Sequence, residues 1–144
     1  MRPDWDRYFI QLAHTVATRG TCDRKRVGTV VVRDHQMLVA GYNGSVRGMA
    51  HCDDVGHLME EDHCVRTVHS EANAIAQAAK EGVRLAGATL YVTCQPCRAC
   101  AQLVANAGVV RIVYSEVYRD WGLLAWAGEA GVEVSRCTPI SRGG

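Results

Sequence analysis

Short apolar segments alternate with helical segments along this chain, and this alternation constrains the fold more than any other feature of the sequence. Apolar or β-branched runs predict five strands, at Val27–Arg33, Met37–Tyr42, Thr89–Thr93, Val109–Tyr114 and Val132–Val134. Apolar residues at three- and four-residue steps, with Gly near the ends, predict four helices, at Asp4–Arg19, Ser70–Lys80, Cys97–Ala107 and Trp121–Ala130. Strands that alternate with helices need crossover connections. We therefore expect an α/β fold with one mixed sheet, covered by helices on both faces, in a single domain of residues 1–144.

The composition excludes several classes of protein. With 48% apolar and 22% charged residues, the chain is typical of a globular protein and not of a disordered, collagen-like or coiled-coil one. Its 16 Lys and Arg residues nearly balance its 15 Asp and Glu residues, so no bulk positive charge attracts a nucleic acid or an anionic membrane. The first residues, Met1 to Asp6, lack the continuous apolar stretch that is typical of a signal peptide, and no later apolar run reaches membrane-spanning length. We therefore expect a cytoplasmic protein with no stable nucleic acid partner and no membrane partner.

The segment at 43–68 carries no sustained apolar period, although it contains three His, two Cys and five acidic residues. A loop of this length inside a compact domain is usually functional or held in place by something. We expect the glycines around its start, Gly41, Gly44 and Gly48, to form a turn that lets the backbone approach a phosphate closely, although these glycines also suit an ordinary turn.

The sequence Pro96-Cys97-x-x-Cys100 is the rarest motif in the chain. Pro is tolerated at the start of a helix, and two Cys three residues apart project from one face of its first turn. The positive end of the helix dipole favours the thiolate form of both. Seven cysteines, without a secretion signal, indicate metal binding or catalysis before disulfides. We assign Cys94 to packing within a strand.

His69-Ser70-Glu71 completes the pattern of a catalytic zinc site. One imidazole and two thiolates leave the fourth position of a tetrahedral zinc ion open to water, which is typical of catalytic sites. Zinc lowers the pKa of that water, and Glu71 can carry its proton to a leaving amine. This combination of motifs is the signature of zinc nucleobase deaminases. The alternative is a cysteine-rich binding knuckle or cluster site, with His69 in the core and Glu71 on a solvated helix face.

On these residues the chain resembles the cytidine deaminase superfamily, and within it the deoxycytidylate (dCMP) deaminases of bacterial and phage type. Four segments carry the resemblance: Cys22–Gly28, Gly41–Ser45, His63–Ile75 and Thr93–Cys100. The resemblance implies hydrolytic deamination of dCMP to dUMP, which supplies thymidylate synthesis, on a three-layer α/β/α sandwich with a five-stranded mixed sheet. It also implies that His69, Cys97 and Cys100 hold zinc and that Glu71 is the proton shuttle.

The same resemblance implies the residues that bind substrate. Asn43 is expected to bind the sugar 3′-hydroxyl, although Asn-Gly is also a common left-handed turn pair. Ser70, which stands where relatives usually have Ala, belongs to the substrate site. Tyr118 is expected over the base and Arg119 near the phosphate, since a guanidinium binds phosphate bidentately; the alternative is an exposed loop pair. A further phosphate ligand is expected within one basic cluster, Arg24, Lys25 and Arg26, and the sequence leaves open which of the three it is.

Some phage relatives bind a second, structural zinc ion, which needs four ligands. Five residues of this chain are candidates: Cys22, Cys52, His57, His63 and Cys64. The alternative is that these are packed thiols and surface imidazoles.

Relatives also form hexamers that are activated by dCTP and inhibited by dTTP. The resemblance therefore implies a homo-oligomer, with Gly44 and Arg47 at a site for a Mg²⁺-bound triphosphate effector. Two other functions stay open: deamination of another nucleobase or nucleotide, such as tRNA adenosine, cytosine or guanine, and a catalytically silent zinc- or nucleotide-binding protein. The net charge of +1 disfavours a tRNA substrate, and the presence of Glu71 disfavours a silent protein.

Overall fold

The computed structural model describes residues 1–22, 25–60 and 63–140, apart from the side chain of His63. Within these residues there are five helices: α1 (Trp5–Ala17), α2 (Cys52–Val55), α3 (Ser70–Glu81), α4 (Arg98–Asn106) and α5 (Leu123–Ala130). The strands are β1 (Gly28–Arg33), β2 (Gln36–Tyr42), β3 (Gly44–Ser45), β4 (Met59–Glu60), β5 (His63–Cys64), β6 (Thr67–Val68), β7 (Thr89–Cys94), β8 (Arg111–Glu116) and β9 (Glu133–Arg136).

Five of the strands form one mixed sheet, in the order β2-β1-β7-β8-β9. Strand β1 is antiparallel to both β2 and β7, whereas β7, β8 and β9 are parallel. Strands β1 and β2 form a hairpin, because Asp34 and His35, with φ of 53° and 61°, form a tight turn between them. The prediction of a five-stranded mixed sheet is therefore confirmed.

Helices cover both faces of this sheet, as the alternation of its side chains requires. On one face, Phe9 and Ile10 of α1 pack against Val30 and Val113. On the opposite face, α3, α4 and α5 pack against a second group of strand residues that includes Val31, Leu90 and Ile112. The expected three-layer α/β/α sandwich is confirmed, and the assignment of residues 1–144 to a single domain stays a prediction.

Helix α3 lies directly on β2 because Gly41 has no side chain. A Cβ at Gly41 would lie 2.5 Å from the carbonyl oxygen of Ser70 and 2.6 Å from the backbone nitrogen of Ala74. The prediction that Gly41 belongs to a phosphate-approaching turn is wrong, since it lies within β2. Its function in the fold is to let a helix approach a strand.

Several elements differ from the sequence predictions. The segment at 43–68 contains α2 and four two-residue strands, which form the ladders β3–β6 and β4–β5. Helix α5 begins at Leu123 instead of Trp121, because Gly122 has a left-handed φ of 93° and stands outside the helix. Strand β9 extends to Arg136. None of the helices in the described part of the chain has the length and hydropathy of a membrane span.

Candidate active site

Two helix N-termini bring together the three residues that the sequence motifs single out. His69 is the N-cap of α3 and Cys97 is the N-cap of α4, which follows β7; Cys100 lies in the first turn of α4. The His69 Nδ1 atom is 3.3 Å from the Cys100 Sγ atom and 3.6 Å from the Cys97 Sγ atom. All three donor atoms lie within 4.8 Å of one another.

These separations fit a tetrahedral zinc ion. With zinc–sulfur bonds of about 2.3 Å and zinc–nitrogen bonds of about 2.0 Å, tetrahedral geometry separates a nitrogen and a sulfur ligand by roughly 3.5 Å. The two nitrogen–sulfur distances, 3.3 and 3.6 Å, bracket that value. The donor set, one imidazole and two thiols, is also one that zinc prefers. The site can therefore hold zinc with three protein ligands.

The thiol of Cys97 is the more acidic of the two. Hydrogen bonds from Cys100 and His69 lower the pKa of Cys97 to about 4, and the same contact with Cys97 raises the pKa of His69. The hydrogen bond to Cys97 and burial raise the pKa of Cys100. Because a metal ligand must be a thiolate, binding of zinc releases the remaining thiol proton.

Glu71 lies beside this cluster in the first turn of α3 and is 4% exposed. Burial raises the pKa of its carboxyl, while a hydrogen bond from Ser70 opposes that increase. The Ser70 Oγ atom donates to the Glu71 Oε1 atom at 2.7 Å. A carboxyl with a raised pKa suits proton transfer near neutral pH.

A cleft of about 390 Å³ is lined by two members of this cluster and by most of the predicted substrate residues. Its lining includes the metal-binding candidates His69 and Cys97, the acid Glu71, and a set of polar and aromatic residues: Lys25, Asn43, Gln95, Arg98, Tyr118, Arg119 and Trp121. Ser70 also lines the cleft, but its hydroxyl points to Glu71 and Thr29.

Asn43 is buried and its amide braces the neighbouring chain. The Asn43 Oδ1 atom accepts from the Val27 backbone nitrogen at 2.7 Å, and Nδ2 donates to the Lys25 carbonyl oxygen at 2.6 Å. Among the described residues other than Gly, only Asp34 and His35 have a positive φ. Asn43 is therefore not a left-handed turn residue, and that alternative is wrong.

Two cations flank the ring of Tyr118. The Lys25 Nζ atom lies 5.2 Å from the ring centroid and the Arg119 Cζ atom lies 5.4 Å from it. Lys25 also contacts Glu116 at 3.5 Å. Because Lys25 and Arg119 are brought to one side of the cleft from distant parts of the chain, they can bind an anionic group there together.

The other members of the basic cluster are placed differently. Arg26 forms an ion pair with Asp53 at 3.2 Å and donates a hydrogen bond to the Gly20 carbonyl oxygen. It is not among the described residues that line the cleft. Arg24 lies outside the described residues. The structure thus brings Lys25, which the sequence did not distinguish from its neighbours, into the cleft.

Sequence reasoning missed three residues that hold the loop containing Tyr118. The Gln95 Oε1 atom accepts from the Tyr118 backbone nitrogen at 3.4 Å. The Trp121 Nε1 atom donates to the Pro96 carbonyl oxygen at 3.0 Å, and Arg98 stacks 4.5 Å over the Trp121 ring. Gln95 and Arg98 adjoin the cysteine motif, but nothing local in the sequence indicates that their partners lie more than 20 residues away.

A second cluster joins Cys22 to three residues of the segment at 43–68. Cys22, Cys52, His57 and Cys64 place their donor atoms within 4.8 Å of one another. The Sγ atoms of Cys52 and Cys64 are 3.4 Å apart, and the Cys22 Sγ atom is 3.3 Å from the His57 Nδ1 atom. Four of the five candidate ligands for a second zinc ion therefore lie close together. The fifth is His63, whose side chain is not among those that the structure describes.

The thiols of this second cluster differ in acidity. Burial, followed by hydrogen bonds with Cys64 and Cys22, raises the pKa of Cys52 to about 12. Burial also raises the pKa of Cys64, but hydrogen bonds from the backbone of Arg66 and Leu58, and from neighbouring side chains, outweigh it and lower this pKa to about 6. One thiolate is thus already favoured among the four donors, which lie within 4.8 Å of one another.

The two candidates for effector binding lie in β3 and in the turn that follows it. Gly44 is buried in β3, where it pairs with Val68 of β6, so it does not form the expected open turn. Arg47 is exposed in the turn that follows, which the Met49 backbone nitrogen closes on the Val46 carbonyl oxygen at 2.8 Å.

Taken together, a His-Cys-Cys donor set at two helix N-termini on a mixed sheet, with a buried carboxyl beside it, defines a metal-dependent hydrolase site on an α/β/α sandwich. The family model of the cytidine and deoxycytidylate deaminase zinc-binding region matches residues 3–116. The chain belongs to this family, and the resemblance found in the sequence is confirmed.

Individual relatives agree with this assignment. The chain is 47% identical over 118 residues to the ComE operon protein 2 of Bacillus subtilis (strain 168), an alignment that covers 82% of this chain and 62% of that protein. It is 42% identical over 125 residues to the deoxycytidylate deaminase of Mycobacterium phage D29, covering 78% and 95%. Its fold matches a crystal structure of dCMP deaminase from the cyanophage S-TIM5 in complex with dCMP and dUMP, with a TM-score of 0.82, 28% identity and coverage of 95% and 99%.

Proposed function

We propose that this chain is a zinc-dependent hydrolase that converts dCMP and water to dUMP and ammonia. The observation that carries the proposal is the placement of Glu71, a buried acid, beside the donors His69, Cys97 and Cys100 in a cleft. A cyanophage relative of the same fold has been crystallised with dCMP and dUMP, which supports this substrate.

Glu71 is the proton carrier of the reaction. When bound, zinc supplies the Lewis acidity that makes water nucleophilic near neutral pH. The Glu71 carboxylate takes a proton from the attacking water and delivers it to the amine, which leaves as ammonia. Burial, which raises the pKa of this carboxyl, brings it closer to the pH at which both transfers are efficient.

The cleft residues around Tyr118 select a nucleotide. Tyr118 offers its ring to the base or sugar, while Lys25 and Arg119 beside that ring bind the phosphate. Beyond its hydrogen bonds with Val27 and Lys25, the Asn43 amide has a second N–H and a second oxygen lone pair, and these can bind the sugar 3′-hydroxyl. A hydrogen bond to a charged group contributes about 1.5–3 kcal/mol. Each of the two cations that binds the phosphate should therefore raise the preference for dCMP over deoxycytidine, measured as kcat/KM, by about ten- to a hundredfold.

The decisive experiment measures ammonia release from dCMP, deoxycytidine, dCTP, cytosine and adenosine, with Glu71→Gln as the matched control. We expect turnover of dCMP in preference to the others. Glu71→Gln should retain zinc and nucleotide binding, and should lower kcat by at least about two to three orders of magnitude, because only the proton carrier changes. Release of ammonia by Glu71→Gln at the wild-type rate would refute the mechanism, and release from adenosine but not dCMP would refute the substrate.

We further propose that Cys22, Cys52, His57 and Cys64 hold a second, structural zinc ion. Four protein donors close a tetrahedral coordination shell, which is typical of structural sites. The cluster joins the chain after α1 to α2 and to β5, and so ties the segment at 43–68 to the rest of the fold. The two buried thiols of Cys22 and Cys52 support a site that is shielded from solvent.

Assembly and regulation are a separate proposal. We propose a homo-oligomer, of hexameric size, that is activated by Mg²⁺-bound dCTP and inhibited by dTTP at a site including Gly44 and Arg47. Exposed apolar side chains at Val46, Met49 and Leu58 supply surface for contact between subunits. Light scattering should give a multimeric mass, and sigmoidal dCMP saturation should become hyperbolic with Mg²⁺-dCTP. A monomeric mass would refute the proposed assembly. A hyperbolic saturation curve that neither dCTP nor dTTP changes would refute the proposed regulation.

The free thiols of the chain indicate the cellular compartment in which it acts. All the described cysteines are free, and two clusters of metal-binding thiols require reducing conditions to persist. We therefore propose that the protein acts in the cytoplasm.

A further inference from the structure

A serine hydroxyl is enclosed between the catalytic acid and the sheet. The Ser70 Oγ atom donates to the Glu71 Oε1 atom at 2.7 Å and lies 2.8 Å from the Thr29 Oγ1 atom. Ser70 is 1% exposed and Thr29 is fully buried. The two hydroxyls thus form a continuous path from β1, where Thr29 lies, to the carboxyl of Glu71 on α3.

The direction of this path follows from the number of protons available. A hydroxyl has one proton to donate and can accept through its lone pairs. Since the Ser70 proton is directed to Glu71, the proton between the two hydroxyls comes from Thr29. The order of donation is therefore Thr29 to Ser70 to Glu71, and it ends on an acceptor that is strongest when the carboxylate is ionised.

We infer that Ser70 and Thr29 are positioning residues that fix the Oε1 atom of Glu71, so that the Oε2 atom is the one that accepts and delivers the catalytic proton. This inference rests on the proposed deamination. During turnover Oε2 takes a proton from water and passes it to the departing amine, which leaves as ammonia. The protons of Ser70 and Thr29 stay on their own oxygens, so the balance of the reaction is unchanged.

The benefit is geometric. The terminal torsion of a Glu side chain is broad, so a carboxylate held only by its own helix samples many orientations. The hydrogen bond from Ser70 to Oε1 removes much of this freedom, because Ser70 is itself hydrogen-bonded to Thr29 of β1, 41 residues away in sequence. An error of about 1 Å in the placement of a reacting group can cost about a hundredfold in rate. Loss of the Ser70 hydroxyl should therefore lower kcat more than it changes substrate binding.

The test is Ser70→Ala, which removes one oxygen atom and keeps the helix. We expect kcat for dCMP to fall by about ten- to a hundredfold, the range for a hydrogen bond to a charged group, with KM and zinc content unchanged. The matched control is Ser115→Ala, because the Ser115 hydroxyl is also buried and contacts His14 at 3.1 Å instead of the acid. A wild-type kcat for Ser70→Ala, or an equal loss for Ser115→Ala, would overturn the inference.

Thr29 provides a graded second test. Thr29→Val keeps the shape of the side chain and removes its hydroxyl, so kcat should fall by about two- to tenfold, less than for Ser70→Ala. Thr29→Ser keeps the hydroxyl and should restore most of the rate. Equal rates for the Val and Ser variants would show that Thr29 does not act through its hydroxyl.

A measurement without turnover separates this inference from the proposed function. In protein labelled with ¹³C at the Glu side-chain carboxyls, the Glu71 signal is identified by its absence from Glu71→Gln. That signal should shift in Ser70→Ala and stay in place in Ser115→Ala. If wild-type protein releases no ammonia from dCMP, the proposed function fails while this shift still tests the hydrogen bond; an unshifted signal in Ser70→Ala overturns the inference alone.

Discussion

Replacing Gly41 with Ala would force α3 away from β2. The added methyl carbon would lie 2.5 Å from the Ser70 carbonyl oxygen, 2.6 Å from the Ala74 backbone nitrogen and 3.0 Å from the Ala74 Cα atom, where ordinary contacts measure 3.4–4 Å. All three atoms belong to the helix backbone, so no side-chain rotation relieves the overlap. The helix would have to move by roughly 1 Å.

Both stability and activity should respond to this shift. Overpacking of this kind costs about 1–3 kcal/mol, and we expect the upper part of that range because the neighbours are backbone atoms. Since α3 carries Glu71 and begins at His69, a displacement of about 1 Å should lower kcat by about a hundredfold. The two effects have one cause and should appear in the same variant.

The assay combines urea unfolding, zinc analysis and ammonia release from dCMP. Gly128→Ala is the matched control, because Gly128 lies inside α5 and a Cβ there would meet nothing within 4 Å. This control should keep full activity and gain up to about 1 kcal/mol from the better helix propensity of Ala. A Gly41→Ala protein with wild-type kcat, and with an unfolding free energy within about 0.5 kcal/mol of wild type, would refute the packing argument.

Three further predictions concern the phosphate, the second metal and acid stability. Arg119→Ala should narrow the preference for dCMP over deoxycytidine by about ten- to a hundredfold in kcat/KM, and an unchanged ratio would remove Arg119 from the phosphate site. Metal analysis should give about two zinc ions per chain, one of which Cys52→Ser should lose together with stability but not the catalytic ion; a content of one in wild-type protein purified without chelator would contradict this. The hydrogen bond and charge of Arg111 hold the pKa of Asp6 below its ordinary value. The ion pair therefore stabilises the folded state at neutral pH, and this stabilisation is lost as the pH falls through the folded-state pKa of Asp6. Asp6→Asn should accordingly be less stable than wild type near pH 7, with the difference vanishing in acid, and a difference independent of pH in urea unfolding would argue against the ion pair.

The sequence predicted the elements of the main sheet and the grouping of His69, Cys97 and Cys100. The strands, the helices and the pairing of Cys97 with Cys100 depend on neighbouring residues: apolar periodicity selects strand or helix, and a motif at a helix start places its own side chains on one face. The hairpin at Asp34 and His35 is local in the same sense, since a two-residue turn fixes the pairing of its strands. His69 lies 28 residues before Cys97, and its place beside the two cysteines was predicted from the known combination of the two motifs.

Predictions about the polar segment were less complete. The residues at 43–68 lack the periodicity that reveals helices and strands, and their two-residue strands are too short to produce a pattern. Gly41 and Gly44 were expected to serve a turn, because Gly allows a positive φ, but both lie in strands. A sequence pattern does not distinguish a Gly needed for its backbone angle from one needed for close packing.

The residue types of this chain determined which chemistry is available: thiols, imidazoles and one acid at metal-binding spacing. The tertiary structure alone decided which distant groups meet. It selected Lys25 and not Arg26 for the cleft, joined Cys22 to His57 across 35 residues, and placed Thr29 behind Ser70. These contacts depend on how closely α3 lies on β2 and on how the segment at 43–68 folds back. Such distances follow from packing of the whole core, which no local pattern of residues encodes.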